Sequence, residues 1–422
     1  MKTTFRGASY ERLIQRLLEP FARFVRMESS SSIVLLLMTA LALLTANSRL
    51  APVYDALQVL PLGVTIGSFS MRTNLHVLVN DGLMPLFFLT VGLEIKRELA
   101  VGELASIRRA MLPVLAATGG VIVPALIYVA LNPSGPAARG WGIPIATDIA
   151  FSLTVLTMFN SRIPVALKVF LVSLAIVDDI AGVAVIAVAY THEFHLGMLL
   201  LVGLLSLACL GLNRMGVTHL PLYMVVGVGL WWALHASGIH AALAGVVLAL
   251  TIPVRTQNQA PESAAKVQSG LERSESPLNR LETKLHPWVS FGIVPLFALM
   301  NAGVRLEAFQ AGHALERAFA GIVLGMVLGK PIGITLFSWV AVRFRLADLP
   351  HRVGWLQLHA VSWLGGIGFT VSIFIAGLAF DANDQYTRAC TAVLVASLGA
   401  AGVGSVLLAM VYRKPRAHPT RM

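Results

Sequence analysis

The chain has 422 residues, 56% of them hydrophobic and 13% charged, where an ordinary soluble domain carries about 25% charged residues. A mean hydropathy of +0.76 excludes a string of soluble domains and leaves a polytopic membrane protein. Cys209 and Cys390 lie in apolar segments without C-x-x-C or Cys/His spacing, so neither a disulfide framework nor a zinc site is indicated.

In chain order, residues 1–28 form a basic segment in which Arg12, Arg16, Arg23 and Arg26 interleave with Leu13, Leu17, Leu18 and Phe21. This pattern fits a helix lying on the inner membrane surface as well as it fits a frayed tail, and it lacks the short apolar core of a signal peptide. Residues 29–412 read as one membrane domain of about twelve spans, near 32–47, 77–95, 110–131, 141–158, 164–190, 196–212, 219–236, 237–253, 286–302, 315–341, 355–379 and 387–412. Between the first two spans, loop 48–76 contains an alternating apolar and polar stretch at 61–72 that predicts a short β-hairpin. Loop 254–284 is rich in Ser, Gln and Pro and reads as a flexible cytoplasmic connection, and residues 413–422 form a basic tail.

With the N-terminus inside, 25 of the 32 Lys and Arg residues fall in inside segments and six outside, with Lys330 left within a span. This split places both termini in the cytoplasm and accounts for the net charge of +11 without a nucleic-acid partner.

Ionisable residues at membrane depth are costly and mark function by default. Asp148, Asp178, Asp179 and Lys330 qualify, with Asp81 nearer a span end, where anchoring is its expected role. Asp178 and Asp179 are adjacent, and neighbours on a helix point about 100° apart. One is therefore expected to face a water-filled cavity and the other a neighbouring helix.

Two spans carry breaks. Span 4 has Gly142 and Pro144 beside Thr147 and Asp148, and span 11 has Gly365, Gly366 and Gly368 before Thr370. Non-helical backbone at this depth survives only when buried in protein or lining a cavity, and paired breaks in two halves point to a transporter binding site. If spans 3–5 and 10–12 are inverted counterparts, Asp148 and Lys330 are placed to offset the partial charges of helix ends where the broken spans cross. The conjunction favours a cation or proton pathway.

The stretches NDGLMPLFFLTVGLEIKREL at 80–99, ATDIAFSL at 146–153, LAIVDDIAGV at 174–183, SGIHAALAG at 237–245, LHPWVSFGIVPLFALMNAGV at 285–304, GKPIGI at 329–334 and GGIGFTVSIFIAGLAF at 365–380 resemble the NhaA family of sodium/proton antiporters. The resemblance extends from about residue 29 to 412. It implies an all-α fold with inverted-topology repeats and two crossing discontinuous helices, spans 4 and 11. It also implies a secondary transporter that needs no cofactor and is not an enzyme, a multi-pass protein of the bacterial inner membrane that forms a homodimer through the outer hairpin and contacts lipid. Its implied task is exchange of Na⁺ and Li⁺ for H⁺ by electrogenic, pH-regulated alternating access, in pH and sodium homeostasis.

Residue by residue, the resemblance makes Asp179 the main carboxylate for Na⁺ and the proton. Asp178 becomes its partner, able to pair with Lys330, and Thr147 and Asp148 become the Thr-Asp of the crossing helices. Glu94, Arg97 and Glu98 match a charged cytoplasmic helix end, and Glu282 with His286 matches a region tied to pH regulation. His240 matches a family histidine near the outer end of span 8, for which packing is the better role. Thr283, followed by Lys284, stands where members often carry a second histidine, and the 254–284 loop and the N-terminus are both longer than usual. These departures bear on the pH set-point.

Na⁺ is a hard cation that takes oxygen ligands, which carboxylates and the carbonyls of a broken helix supply. Protons and Na⁺ would compete for one coupled carboxylate pair. An intramembrane aspartyl protease also needs two membrane aspartates, but on separate helices and with a G-x-G-D stretch that this chain lacks. An ion channel could be lined by the same residues, and a requirement for a counter-ion gradient separates it from an antiporter.

Overall fold

The computed structural model describes residues 30–66, 69–159, 163–191, 195–254, 276–305, 316–380 and 384–412. The basic N-terminal segment, most of the 254–284 loop, the hairpin tip and the C-terminal tail lie outside the described residues.

Long apolar runs become helices because a helix satisfies its own backbone in a solvent that offers no hydrogen bonds. In chain order these are α1 (Ser30–Ala46), α2 (Ala51–Gln58), α3 (Leu75–Val101), α4 (Ile107–Leu131), a 3-10 segment Pro136–Ile145, α5 (Ile149–Thr157), α6 (Val165–Ala189), α7 (Leu196–Arg214), α8 (Leu220–Ser237) and α9 (Leu243–Thr251). A helical run over 277–301 (α10) follows, then α11 (Arg317–Arg343), α12 (Trp355–Gly366), α13 (Phe369–Ala379) and α14 (Asp384–Val411). Between α2 and α3, strands β1 (Pro61–Ile66) and β2 (Phe69–Asn74) pair antiparallel from Pro61 opposite Asn74 to Ile66 opposite Phe69, where the alternation predicted a hairpin.

The protein is an all-α polytopic membrane protein. Among the described residues, seven helices are long and apolar enough to cross a bilayer, or up to ten if each of three bent pairs is one span, against about twelve expected. The predicted spans 237–253 and 286–302 account for part of the difference: the first folds as the nine-residue α9, and the second joins α10, whose first turns carry Arg280, Glu282 and Lys284. On α7, Leu200, Leu204 and Leu207 stand exposed along one stripe, as a lipid-facing surface requires.

Three π turns, Leu78–Leu83, Val289–Ile293 and Gly325–Gly329, each stop two residues short of a proline: Pro85, Pro295 and Pro331. Proline has no N–H to return to the carbonyl four residues back, so the residue before it bonds five back instead, as Lys330 N–H does to Gly325. The carbonyl freed by Pro85 is that of Asp81, and the Trp231 indole N–H satisfies it at 2.8 Å. These turns set the direction of the helix just ahead of Lys330 and around Asp81.

Close helix contacts rest on small residues. A Cβ on Gly119 of α4 would collide with the Gly333 carbonyl of α11, and one on Gly333 with the carbonyl of Gly119, so the two backbones touch directly. That contact holds the Lys330 helix against α4. The two largest apolar clusters meet at the broken helices, with Leu364 and Ile367 in one and Ala146 and Phe369 in the other.

Candidate functional site

The site is built at two breaks. The 3-10 segment Pro136–Ile145 and α5 meet at 41° across residues 146–148, and α12 and α13 meet at 45° across Ile367 and Gly368. Backbone that leaves a helix needs other partners, and each break supplies them to the other. Asp148 N–H donates to the Ile367 carbonyl at 2.6 Å, the Thr147 hydroxyl to the Gly365 carbonyl at 2.8 Å, and the Ser152 hydroxyl to the Leu364 carbonyl at 2.7 Å. From the other side, Ser372 donates to the Ile143 carbonyl at 2.8 Å.

The Asp148 carboxylate caps two helices at once. Its Oδ1 accepts from Phe151 N–H at 3.1 Å at the start of α5, and its Oδ2 accepts from Thr370 N–H at 3.3 Å and the Thr370 hydroxyl at 2.7 Å at the start of α13. Both starts present orphan N–H groups and positive partial charge, which a buried carboxylate offsets. This is the arrangement expected for Asp148. Lys330 differs: its bonds run to side chains, not to helix-end carbonyls.

Lys330 and Asp178 are both fully buried, and the ammonium donates to Asp178 Oδ2 and, at 3.0 Å, to the Thr147 hydroxyl oxygen. Thr147 Oγ1 also lies 2.6 Å from the same Asp178 oxygen. Lys330, Thr147 and Asp178 thus tie α11, the first break and α6 together. Asp178 Oδ1 is buried without a hydrogen-bond partner among the described residues.

Asp179 points elsewhere. It lines a cavity of about 300 Å³ whose walls include Thr147, Asp148 and Thr370 at the breaks, and Thr90 and Glu94 of α3. The other walls carry Ser31 of α1, Thr154 of α5, and His286 and Ser290 of α10. The separation expected from helical geometry is therefore observed, with Asp178 on a neighbouring helix and Asp179 on a cavity rich in hydroxyl oxygens. Sequence reasoning passed over Thr90, Ser31 and Ser290, since single hydroxyl residues in apolar helices carry no motif.

The charged cluster at the end of α3 adjoins the same cavity. Arg97 pairs with Glu282 of α10 and lies 3.9 Å from Glu94, and His286 lies 3.5 Å from Ser290. Burial raises the Glu282 carboxyl, against the opposing pull of Arg97 and His286. Glu98 accepts from Glu103 N–H at 2.9 Å and shapes the turn after α3, close enough for its charge to act on Glu282. Thr283 and Lys284 are exposed.

Asp81 and His240 meet at the other end, 3.8 Å apart, beside a smaller cavity of about 100 Å³. The His240 Nδ1 accepts from Ala242 N–H at 3.3 Å, and its ring packs edge-on against Phe374.

The chain matches the family model described as Na+/H+ antiporter 1 over residues 22–408. It is 45% identical to the Na(+)/H(+) antiporter NhaA of Koribacter versatilis, over 94% of this chain and 92% of that protein. It is 44% identical to the protein so named from Syntrophobacter fumaroxidans, over 97% and 94% of the two chains, and 43% identical to the one from Pseudomonas putida, over 94% and 98%.

Proposed function

Because the chain belongs to the NhaA family of Na⁺/H⁺ antiporters, we propose that it exchanges Na⁺, and also Li⁺, for protons by alternating access at Asp179. The observation that carries this reading is the division of labour between adjacent carboxylates: Asp178 is engaged by Lys330 and Thr147, while Asp179 faces the cavity. Na⁺ needs several oxygens, and the Asp179 carboxylate, the unengaged Asp178 oxygen and nearby hydroxyls offer them as ligands for the transported ion. A proton on Asp179 removes the charge that holds Na⁺, so the two ions compete and cannot ride together. Hydrogen bonds between the two breaks give α5 and α12–α13 a shared hinge about which the site can change its access.

Asp148 is assigned the task of holding both helix starts, and Glu94, Arg97, Glu98, Glu282 and His286 that of regulation by pH at the cavity mouth. Transport is electrogenic in this reading, each net charge moved feeling about 2.3 kcal/mol per 100 mV of membrane potential. The protein sits in the bacterial plasma membrane with both termini in the cytoplasm, dimerises through the hairpin, and serves sodium and pH homeostasis without enzymatic chemistry. Purified protein in sealed vesicles tests this: an imposed Na⁺ gradient should drive protons the opposite way. Na⁺ flux that proceeds without proton counterflow would mark a channel instead.

A further inference from the structure

A second polar cluster joins α12 to α11, and none of its members lines the cavity of Asp179. His359 of α12 is flanked by Thr335 of α11, with 2.9 Å from Nδ1 to the hydroxyl oxygen, and by Trp363, whose indole N–H donates to Nε2 at 3.2 Å. The Trp363 bond fixes the tautomer. An Nε2 that accepts carries no proton, so in the neutral ring the proton is on Nδ1 and is donated to Thr335. The Thr335 hydroxyl then donates to Ser362 Oγ at 3.2 Å, and Ser362 returns a 2.7 Å bond to the His359 carbonyl. Ser362 Oγ also lies 3.4 Å from the Pro331 carbonyl of α11, a second acceptor for the same proton.

The loop joins two elements that carry the site. Thr335 is five residues beyond Lys330 on α11, and Ser362 and Trp363 lead directly to the Gly365 carbonyl that accepts from Thr147. A proton on Nε2 would set two donors, imidazolium and indole, against each other at 3.2 Å, so the ring must turn away from Trp363 and carry its Nδ1 off Thr335 of α11. The elements packed against the first half of α12 are α6, the Lys330–Arg343 half of α11 and α14. Their ionisable residues are Lys168, Asp178 and Asp179 on α6, Lys330 and Arg343 on α11, and Asp384, Tyr386, Arg388 and Cys390 on α14. Among the described residues none of these forms an ion pair with His359, so no carboxylate there compensates the extra charge.

We propose that His359 is a positioning residue for transport: in its neutral form it clamps the first half of the second broken helix to the Lys330 helix, and its protonation releases that clamp and slows exchange. It acts apart from the Glu94, Glu282 and His286 group, of which Glu94 and His286 line the cavity. The inference rests on the antiport reading above.

The test is maximal exchange rate against pH in vesicles, at Na⁺ concentrations high enough to overcome proton competition at Asp179. Three full-length proteins are compared: wild type, His359→Gln and Trp363→Phe. Glutamine can donate to Thr335 and accept from Trp363 but does not titrate, and phenylalanine removes the donor that a protonated ring would oppose. Both variants should match wild type in maximal rate and Na⁺ affinity at alkaline pH. Below the wild-type midpoint, where loss by a single protonation approaches tenfold per pH unit, each should retain several-fold more activity. Superimposable profiles for wild type and Trp363→Phe, or a wild-type maximal rate that does not fall with pH, would overturn the clamp. Absence of Na⁺-driven proton movement in wild type at every pH would instead overturn the antiport reading.

Discussion

Replacing Lys330 by Met probes the most exposed weakness of the site, a charge pair with no access to water. The side chains of Lys330 and Asp178 are both 0% exposed, so removing the ammonium strands a carboxylate whose remaining partner is the Thr147 hydroxyl at 2.6 Å. Breaking one side of a buried pair costs about 3–5 kcal/mol, whereas removing both charges is often close to neutral. Lys330→Met alone should therefore lower stability by about 3 kcal/mol or more, a hundredfold or greater change in the folded ratio. Adding Asp178→Asn should recover most of it, because the amide brings no buried charge and its NH2 can donate to the Thr147 oxygen that the ammonium had occupied. The assay is a double-mutant cycle on unfolding in mixed micelles, followed by near-ultraviolet circular dichroism. The single and double variants losing stability equally would refute the reasoning, since no coupling between the two side chains would then exist.

Asp148→Ala should uncap α5 and α13 together, costing about 1–2 kcal/mol per cap in the same unfolding assay, and a loss below that of one surface cap would show that the shared carboxylate holds neither helix start. Deleting residues 63–72 removes most of the two-stranded hairpin, whose edges offer unpaired backbone groups to a second copy; cross-linking in detergent should show fewer dimers while vesicle transport persists, and an unchanged dimer yield would remove the hairpin from the interface. Glu282→Gln deletes the carboxyl that burial raises and Arg97 opposes. As pH falls through its value the wild-type side chain takes a proton and its ion pair with Arg97 lapses, so the variant should lack that pair at all pH and show a displaced activation midpoint. Thr283→His, adding an imidazole to an exposed position beside this group, should also shift the midpoint with little change in maximal rate.

Much of the site can be read in the chain. Adjacent aspartates in an apolar helix had to diverge, because 100° of helix rotation separates them, and Gly142, Pro144 and the glycines at 365, 366 and 368 marked where breaks could form, although α4 continues unbroken through Pro113, Gly119, Gly120 and Pro124. The double cap by Asp148 was only half legible. Its role toward Phe151 follows from local sequence, but its bonds to Thr370 join residues 222 positions apart, and the partner of a helix end is set by packing. The residue pattern alone set Lys330 against helix ends, while the family resemblance allowed its pair with Asp178; it engages Asp178 and Thr147, since a full carboxylate charge outcompetes partial charges on carbonyls. The π turns ahead of Pro85, Pro295 and Pro331 went unread. A lost N–H permits a kink, a bulge or a stop, and only the surrounding helices decide which.

The most direct test of the whole assignment is Asp179→Asn, which keeps the side chain's size and removes its charge and proton. Wild-type protein in vesicles should bind Na⁺ with an affinity that weakens as pH drops, while maximal exchange is largely retained once Na⁺ saturates. In the Asp179→Asn protein, folded and inserted in equal amount, both Na⁺ binding by calorimetry and Na⁺-driven proton movement should vanish. Exchange at the wild-type rate in that variant would contradict the placement of the transported ion on Asp179.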